Sequence, residues 1–434
     1  LLKRGVILMK SLKAPCSPEK RSSGNSISDV SGIVTGIIQD ITQRKDLALA
    51  EYERKLSKNE RTNYRITAEE IAGAYREVPD SLIKMMRIAA ENIRKFAERQ
   101  RRTLHDLQLE ELRPGVFLGH RTIPVDSCCC YVPGGRYPLF STALMLAIPA
   151  QVAGVGRICA CTPVVKGTRL PHATTLVALD LAGVNEIYAV GGAQAVAAAA
   201  YGTEKIRPVS LIVGPGNAYV TEAKRQVYGR VGIDFVAGPS EVLIIADETA
   251  DPKLLAADLL AQSEHDPEAR ALLVTTSEEI AIKTSEAIEE FLAEIETAKT
   301  ARASWESHGE ILVAESLQEA IEYSNKTAPE HLEVNTKDPE SLVEDLRNYG
   351  SLFLGSGSAE VFGDYVAGTN HTLPTMGAAR YTGGLWVGSF LKTCTIQKVT
   401  PEGSAFLAPI AETMAKTEGL MAHALAARLR VQAE

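Results

Sequence analysis

Short apolar runs that alternate with helical patterns predict an α/β protein. Two Rossmann-like parallel-sheet domains are expected, with a helical N-terminal segment and a C-terminal helical tail. Two observations carry this. The βαβα rhythm begins near Cys128, pauses near Gly238 and starts again at Val242. A chain of 434 residues also exceeds what one simple core accommodates.

The elements follow in order. From Gly32 to Arg102, VTGIIQDI and SLIKMMRIAAENIRKF carry apolar residues at three- and four-residue steps, a helical spacing. CYVP then reads as a strand, STALMLAIPAQVAG as a helix, RICACT as a strand and ATTLVALDLAG as a helix. EIYAV leads into GGAQAVAAAA, and SLIVG leads into NAYVTEAKRQVYG. VLIIAD, DPKLLAADLLAQ, ALLVTT and a helix through Phe291 repeat the rhythm. Such alternation implies parallel sheets covered by helices on both faces. An Ala- and Leu-rich helix is expected from about Pro409 to Ala427.

Composition narrows the function. With 45% hydrophobic and 23% charged residues the chain is an ordinary globular protein. Its formal charge of −8 argues against a general nucleic-acid binder, which carries a basic face. No apolar stretch approaches a membrane span, so no membrane partner is expected. The first residues are basic, with a five-residue apolar patch too short for a secretory signal. The seven cysteines include the consecutive Cys128, Cys129 and Cys130, and the alternating Cys159 and Cys161. They match no zinc ribbon or disulfide framework and read as small apolar residues in strands. Their odd number favours a reducing cytoplasm.

Gly191 and Gly192, and again Gly214 and Gly216, stand where a strand enters a helix. Glycines there let backbone N–H groups approach a phosphate, or simply satisfy the turn's own geometry. No GxGxxG accompanies them. Four separated polar residues, Gln262, His265, Asp364 and His423, combine two imidazoles, a carboxylate and an amide. Together they would suit zinc; separately they are surface polar residues and a capped histidine. Gln262 and His265, three apart on a predicted helix, are expected on one face. Glu330 and His331 follow Pro329 and offer two proton acceptors side by side.

Seven stretches favour the chemical reading. YVPGGRYPLFSTALMLAIPAQVAGV, GGAQAVAAAAYGT, IVGPGNAYVTEAKRQVYG, VAGPSEVLIIADE, ADLLAQSEHDPEA, NKTAPEHLEV and GDYVAGTNHTLPT occur in this order. Together they closely resemble the histidinol dehydrogenase family, from about Val30 to about Val431. The resemblance implies zinc- and NAD-dependent oxidation of L-histidinol, through the aldehyde, to L-histidine in histidine biosynthesis. It implies zinc, one per subunit, on Gln262, His265, Asp364 and His423, and NAD on Tyr131, Gln194 and Asn217. Glu330 would activate water and His331 would be the base. Ser240 and Glu418 would join the metal ligands and His331 around the substrate, with His371 a pocket neighbour. A homodimer is implied, each site completed by Glu418 and His423 of the other chain.

The expected division is a mobile segment over 1–28, a discontinuous α/β domain over 29–130 and 240–382, an NAD domain over 131–239, and a tail over 383–434. GGRYPL and AARYTGGLWVGSFLKTCTIQ depart from the histidinol pattern. They resemble a sister branch that oxidises sulfopropanediol, whose sulfonate would need Arg136, Arg380 or Lys392. A third reading is an inactive zinc-binding regulatory homologue. Loss of Glu330 or His331 would mark it, and both are present.

Overall fold

The computed structural model describes residues 9–14, 27–134 and 138–431. Two sheets dominate. One runs, from edge to edge, Glu186–Tyr188, Arg157–Cys161, Ser127–Tyr131, Leu211–Val213 and Gly232–Ile233, all parallel. The other has the same winding, Glu310–Val313, Arg270–Thr275, Glu241–Ala246, His331–Asn335 and Ser351–Leu354. In each, the chain starts in the middle, winds outward, then returns to the other side. The reversal leaves a switch point beside the first strand, where crevices open.

Cys128 and Cys130 point into the core on one face of the first sheet, with the helix Phe140–Ala153. Cys129, Cys159 and Cys161 point into the core on the other face, with the helices Gly192–Tyr201 and Ala218–Val227. This is the period-2 alternation of a strand buried on both sides. All five thiols are free and buried. The helix Phe140–Ala153 is apolar all round because it is buried all round.

Four features differ from the sequence expectation. The helices Ile27–Arg44, Asp46–Tyr52, Ala68–Glu77 and Asp80–Arg102 share both cores of the first sheet. Packing therefore groups them with that sheet, where the sequence division grouped 29–130 with 240–382. Within the segment expected to be mobile, Lys10–Lys13 is a strand, antiparallel to Glu310–Val313. There Lys13 Nζ donates to the carbonyls of Trp305 and Gly309. Much of the rest of 1–28 lies outside the described residues.

A third sheet has no counterpart in the sequence reading. It is antiparallel, with Val116–Pro124 between Leu107–Arg113 and Leu391–Val399. Leu107–Arg113 is exposed throughout and carries no β-branched residue, so periodicity and propensity are both silent there. The expected single C-terminal helix is two, Pro401–Thr417 and Met421–Leu429. Thr400 caps the first by accepting from the Gly403 amide, with Pro401 in its first turn. Gly419, at φ 78°, is the left-handed residue that breaks it from the second. Among the described residues no helix is long and apolar enough to cross a membrane.

Candidate active site

The first site opens at the switch point of the second sheet, at the amino ends of its strands. Ser240 immediately precedes Glu241–Ala246, and His331 begins His331–Asn335. Gln262, His265 and Asp364 line the same cleft, with Glu330 and His371. Thr142 and Phe235 close it from the side of the first sheet.

Each side chain has a local reason for its place. The helix Pro252–Ser263 begins at the Asp251 cap and runs back across the sheet, bringing Gln262 to its last turn. His265 is not on that helix, contrary to the sequence expectation. The helix stops at Ser263, and Asp266 precedes Pro267, which disfavours further helix. A closing bond from the His265 amide to the Gln262 carbonyl, 3.3 Å, still turns His265 toward the cleft.

His331 is 4% exposed. Its Nδ1 faces the Glu241 carbonyl at 3.2 Å, Glu360 Oε1 at 3.6 Å and Glu330 Oε2 at 3.8 Å, and, with the Gln262 amide turned to satisfy its surroundings, the Gln262 nitrogen at 3.3 Å. The nearest of these, the Glu241 carbonyl, only accepts, and the Gln262 nitrogen has a shorter acceptor in Glu360 Oε1 at 2.7 Å, so the ring proton is assigned to Nδ1. Nε2 is left with a lone pair, buried without a hydrogen-bond partner among the described residues, 3.9 Å from Asp364 Oδ1. Burial, partly opposed by Asp364, pushes the His331 pKa down to about 4, so the ring is neutral at pH 7. Glu330 accepts from the Glu241 amide at 2.9 Å, and burial pushes its carboxyl well above the usual range. His371 bridges the two sheets' domains, Nδ1 toward the Asp364 carbonyl at 3.1 Å and Nε2 toward Thr142 Oγ1 at 3.3 Å.

Glu360 escaped the sequence reading. It is 3% exposed and lies one helical turn before Asp364 on Glu360–Tyr365. The Gln262 amide nitrogen, in the orientation that satisfies its surroundings, donates to Glu360 Oε1 at 2.7 Å. Among the described residues, one ligand atom each of His331, Glu360 and Asp364 lie within 4.8 Å of one another, close enough for a metal ion. The signal that could have found Glu360 was its four-residue spacing from Asp364.

Glu418 and His423 are exposed on the C-terminal helices and do not line the cleft of their own chain. Beside them Phe406, Ile410, Met414, Met421, Leu425 and Leu429 are exposed as well.

The second site lies at the carboxyl ends of the first sheet, a cavity of about 1010 Å³. Tyr131, Gln194 and Asn217 all line it. Asn217 caps its helix by accepting from the Tyr219 and Val220 amides, so its Nδ2 is what it can offer a ligand. Three of the four glycine amides are engaged within the fold. Gly191 N donates to Glu53 Oε1 (3.2 Å), Gly192 N to the Tyr131 hydroxyl (3.0 Å) and Gly214 N to Asp234 Oδ2 (2.7 Å). Of the two readings of these glycines, the bonds favour the turn's own geometry at Gly191, Gly192 and Gly214. A Cβ on Gly214 (φ 119°) would meet the Tyr131 carbonyl at 2.2 Å.

Comparison with known proteins decides the family. The model of the family described as histidinol dehydrogenase matches residues 20–431. The chain belongs to the histidinol dehydrogenase family. It is 48% identical to the histidinol dehydrogenase homolog of Shouchella clausii, covering 92% of this chain and 93% of that one. It is 47% identical to histidinol dehydrogenase of Methanothermobacter thermautotrophicus, covering 94% of each. The crystal structure of histidinol dehydrogenase from Elizabethkingia anophelis superposes with a TM-score of 0.89 at 39% identity, over 95% of this chain and 93% of that one. Membership of the histidinol dehydrogenase family makes the protein an NAD-dependent dehydrogenase, and the fold is the two-sheet α/β fold expected.

Proposed function

We propose that the protein oxidises L-histidinol to L-histidine through the aldehyde, with NAD and one zinc ion per subunit, as a cytoplasmic step of histidine biosynthesis. The observation that carries this reading is the side-chain lining of the cleft, which offers acidic and imidazole groups but no fixed cation among the described residues. Glu330, Asp364 and three histidines line it, and no Lys or Arg does among the described residues. Such a pocket suits a substrate with an ammonium group and an imidazole, and it opposes a sulfonate. Arg380 donates to the Lys326 and Gly377 carbonyls, away from the cleft, and Lys392 lies exposed on the third sheet. Arg136 lies outside the described residues.

The donor set suits zinc, with imidazole, carboxylate and amide oxygen and no thiolate. We assign Gln262, His265 and Asp364 of one chain and His423 of its partner as ligands. Glu360 holds the Gln262 amide nitrogen, which turns the carbonyl oxygen outward. Tyr131, Gln194 and Asn217 would hold NAD, and Ser240 and the partner's Glu418 the substrate, the latter opposite its ammonium group. Bound NAD supplies the hydride acceptor and bound zinc an anchor for the substrate's polar atoms. His331 Nε2 takes the hydroxyl proton of the alcohol as its carbon gives up hydride. Glu330 takes a proton from the water that adds to the aldehyde. His331 then takes a hydroxyl proton of the hydrate in the second oxidation, leaving the acid.

Two tests follow. Purified protein offered L-histidinol and sulfopropanediol in separate assays should produce NADH from L-histidinol; production from sulfopropanediol alone would overturn the substrate. Metal analysis should find about one zinc per chain, most of it lost in His265→Ala. Full zinc in that variant would assign the metal to His331, Glu360 and Asp364 instead.

A further inference from the structure

Glu53 is a buried carboxylate that the chemistry above does not use. It is 0% exposed and opens a π-helical turn, Glu53–Ser57, inserted after the helix Asp46–Tyr52. Such turns are uncommon and concentrate at functional sites. Here the turn closes with the Asn59 amide donating back to the Glu53 carbonyl at 3.0 Å and Lys58 in the left-handed region, φ 54°. It aims Glu53 inward while Ser57 and Lys58 line the dinucleotide cavity.

Four donors meet the carboxylate: Asn59 Nδ2 at 2.8 Å, Gln194 Nε2 at 2.8 Å, Gly191 N at 3.2 Å and Ser57 Oγ at 3.4 Å. Burial raises the pKa of the carboxyl, and the Asn59, Gln194 and Gly191 donors oppose that rise. The consequence falls on Gln194. Its nitrogen is taken by Glu53, which leaves Oε1 as the amide's uncommitted atom. That oxygen is buried and without a partner among the described residues. It stands over Gly192, where a Cβ would lie 2.6 Å from it. An unpaired buried carbonyl is unfavourable by itself and is explained by a ligand that donates to it.

We propose that Glu53 is a positioning residue of the dinucleotide site, locking the Gln194 amide so that an acceptor faces the cofactor. The inference rests on the NAD reading and deepens it. An acceptor rejects phosphate oxygens and takes a hydroxyl or amino donor, so this end of the cavity holds a ribose hydroxyl or an amino group of NAD. The neighbouring glycine amides, already engaged by Glu53 and Tyr131, agree with that assignment.

The test is equilibrium binding of NAD+ to the zinc-loaded protein by calorimetry. Glu53→Gln places an amide nitrogen among the donors and frees the Gln194 amide to turn. It should weaken NAD+ about tenfold or more, with zinc content and L-histidinol affinity unchanged. Gln194→Met should weaken NAD+ similarly, and the double variant should lose little more than either alone. Where E53Q does not fold, the milder Glu53→Asp is read the same way. Unchanged NAD+ affinity, additive losses, or a parallel loss of zinc and L-histidinol binding would overturn the proposal. Failure of the unaltered protein to bind NAD+ would instead remove the cofactor reading beneath it.

Discussion

Replacing His331 by alanine should slow both oxidations by about 10²–10⁴-fold. Its Nε2 lone pair is the proton acceptor proposed for the alcohol and again for the hydrate. The ring is held ready for that task by the Glu241 carbonyl at Nδ1 and by burial that keeps it neutral. Glu330→Gln should behave differently. Glutamine keeps an oxygen to accept from the Glu241 amide, so the local fold survives. The lost proton acceptor matters where water adds, so aldehyde oxidation should fall by about 10²-fold or more while alcohol oxidation falls less. Turnover measured separately with the alcohol and with the aldehyde distinguishes the two. Equal, mild losses for both substitutions in both assays would contradict the division of labour.

The second large effect concerns assembly. If Glu418 and His423 of a second chain complete the cleft, as proposed, a lone chain is inactive and a two-fold dimer is obligatory. The exposed apolar side chains beside those residues supply a surface for such a contact. His423→Ala and His331→Ala chains should each be nearly inactive alone. Co-expressed, they should form mixed dimers in which one of the two sites has all its residues. Random pairing makes half the dimers mixed, so activity should recover to about a quarter of the unaltered level. Mixed dimers that show no recovery would mean that His423 serves its own chain or no site.

The parallel-sheet skeleton was legible because its strands and helices are buried on both faces and their patterns are strong. The strand at Cys128–Cys130 and the helix Phe140–Ala153 are the plainest cases. What was lost lies at the exposed margin. The strand Leu107–Arg113 buries nothing, so the third sheet left no period to read. The break at Gly419 lies within an Ala- and Leu-rich stretch whose composition favours helix on either side. At the cleft, Gln262, His265, Glu330, His331 and Asp364 were named from the sequence, and the fold brings them to one wall. Glu360 was missed because a buried acid in AEVFGDY looks like any solvated one until the helix Glu360–Tyr365 is docked. The commitment of the glycine amides was hidden too, since Glu53 is more than a hundred residues away in sequence. The sequence also gives no sign that the cleft opens at the amino ends of the second sheet, whereas the cavity lined by Tyr131, Gln194 and Asn217 keeps to the carboxyl ends of the first.

One measurement bears most directly on the proposed chemistry. Purified protein is given limiting L-histidinol and excess NAD, and NADH and the final product are counted. Two sequential oxidations at one site predict two NADH per molecule of L-histidinol, with L-histidine as the product and no aldehyde accumulating. One NADH per molecule with the aldehyde left in solution, or no NADH at all, would contradict the account.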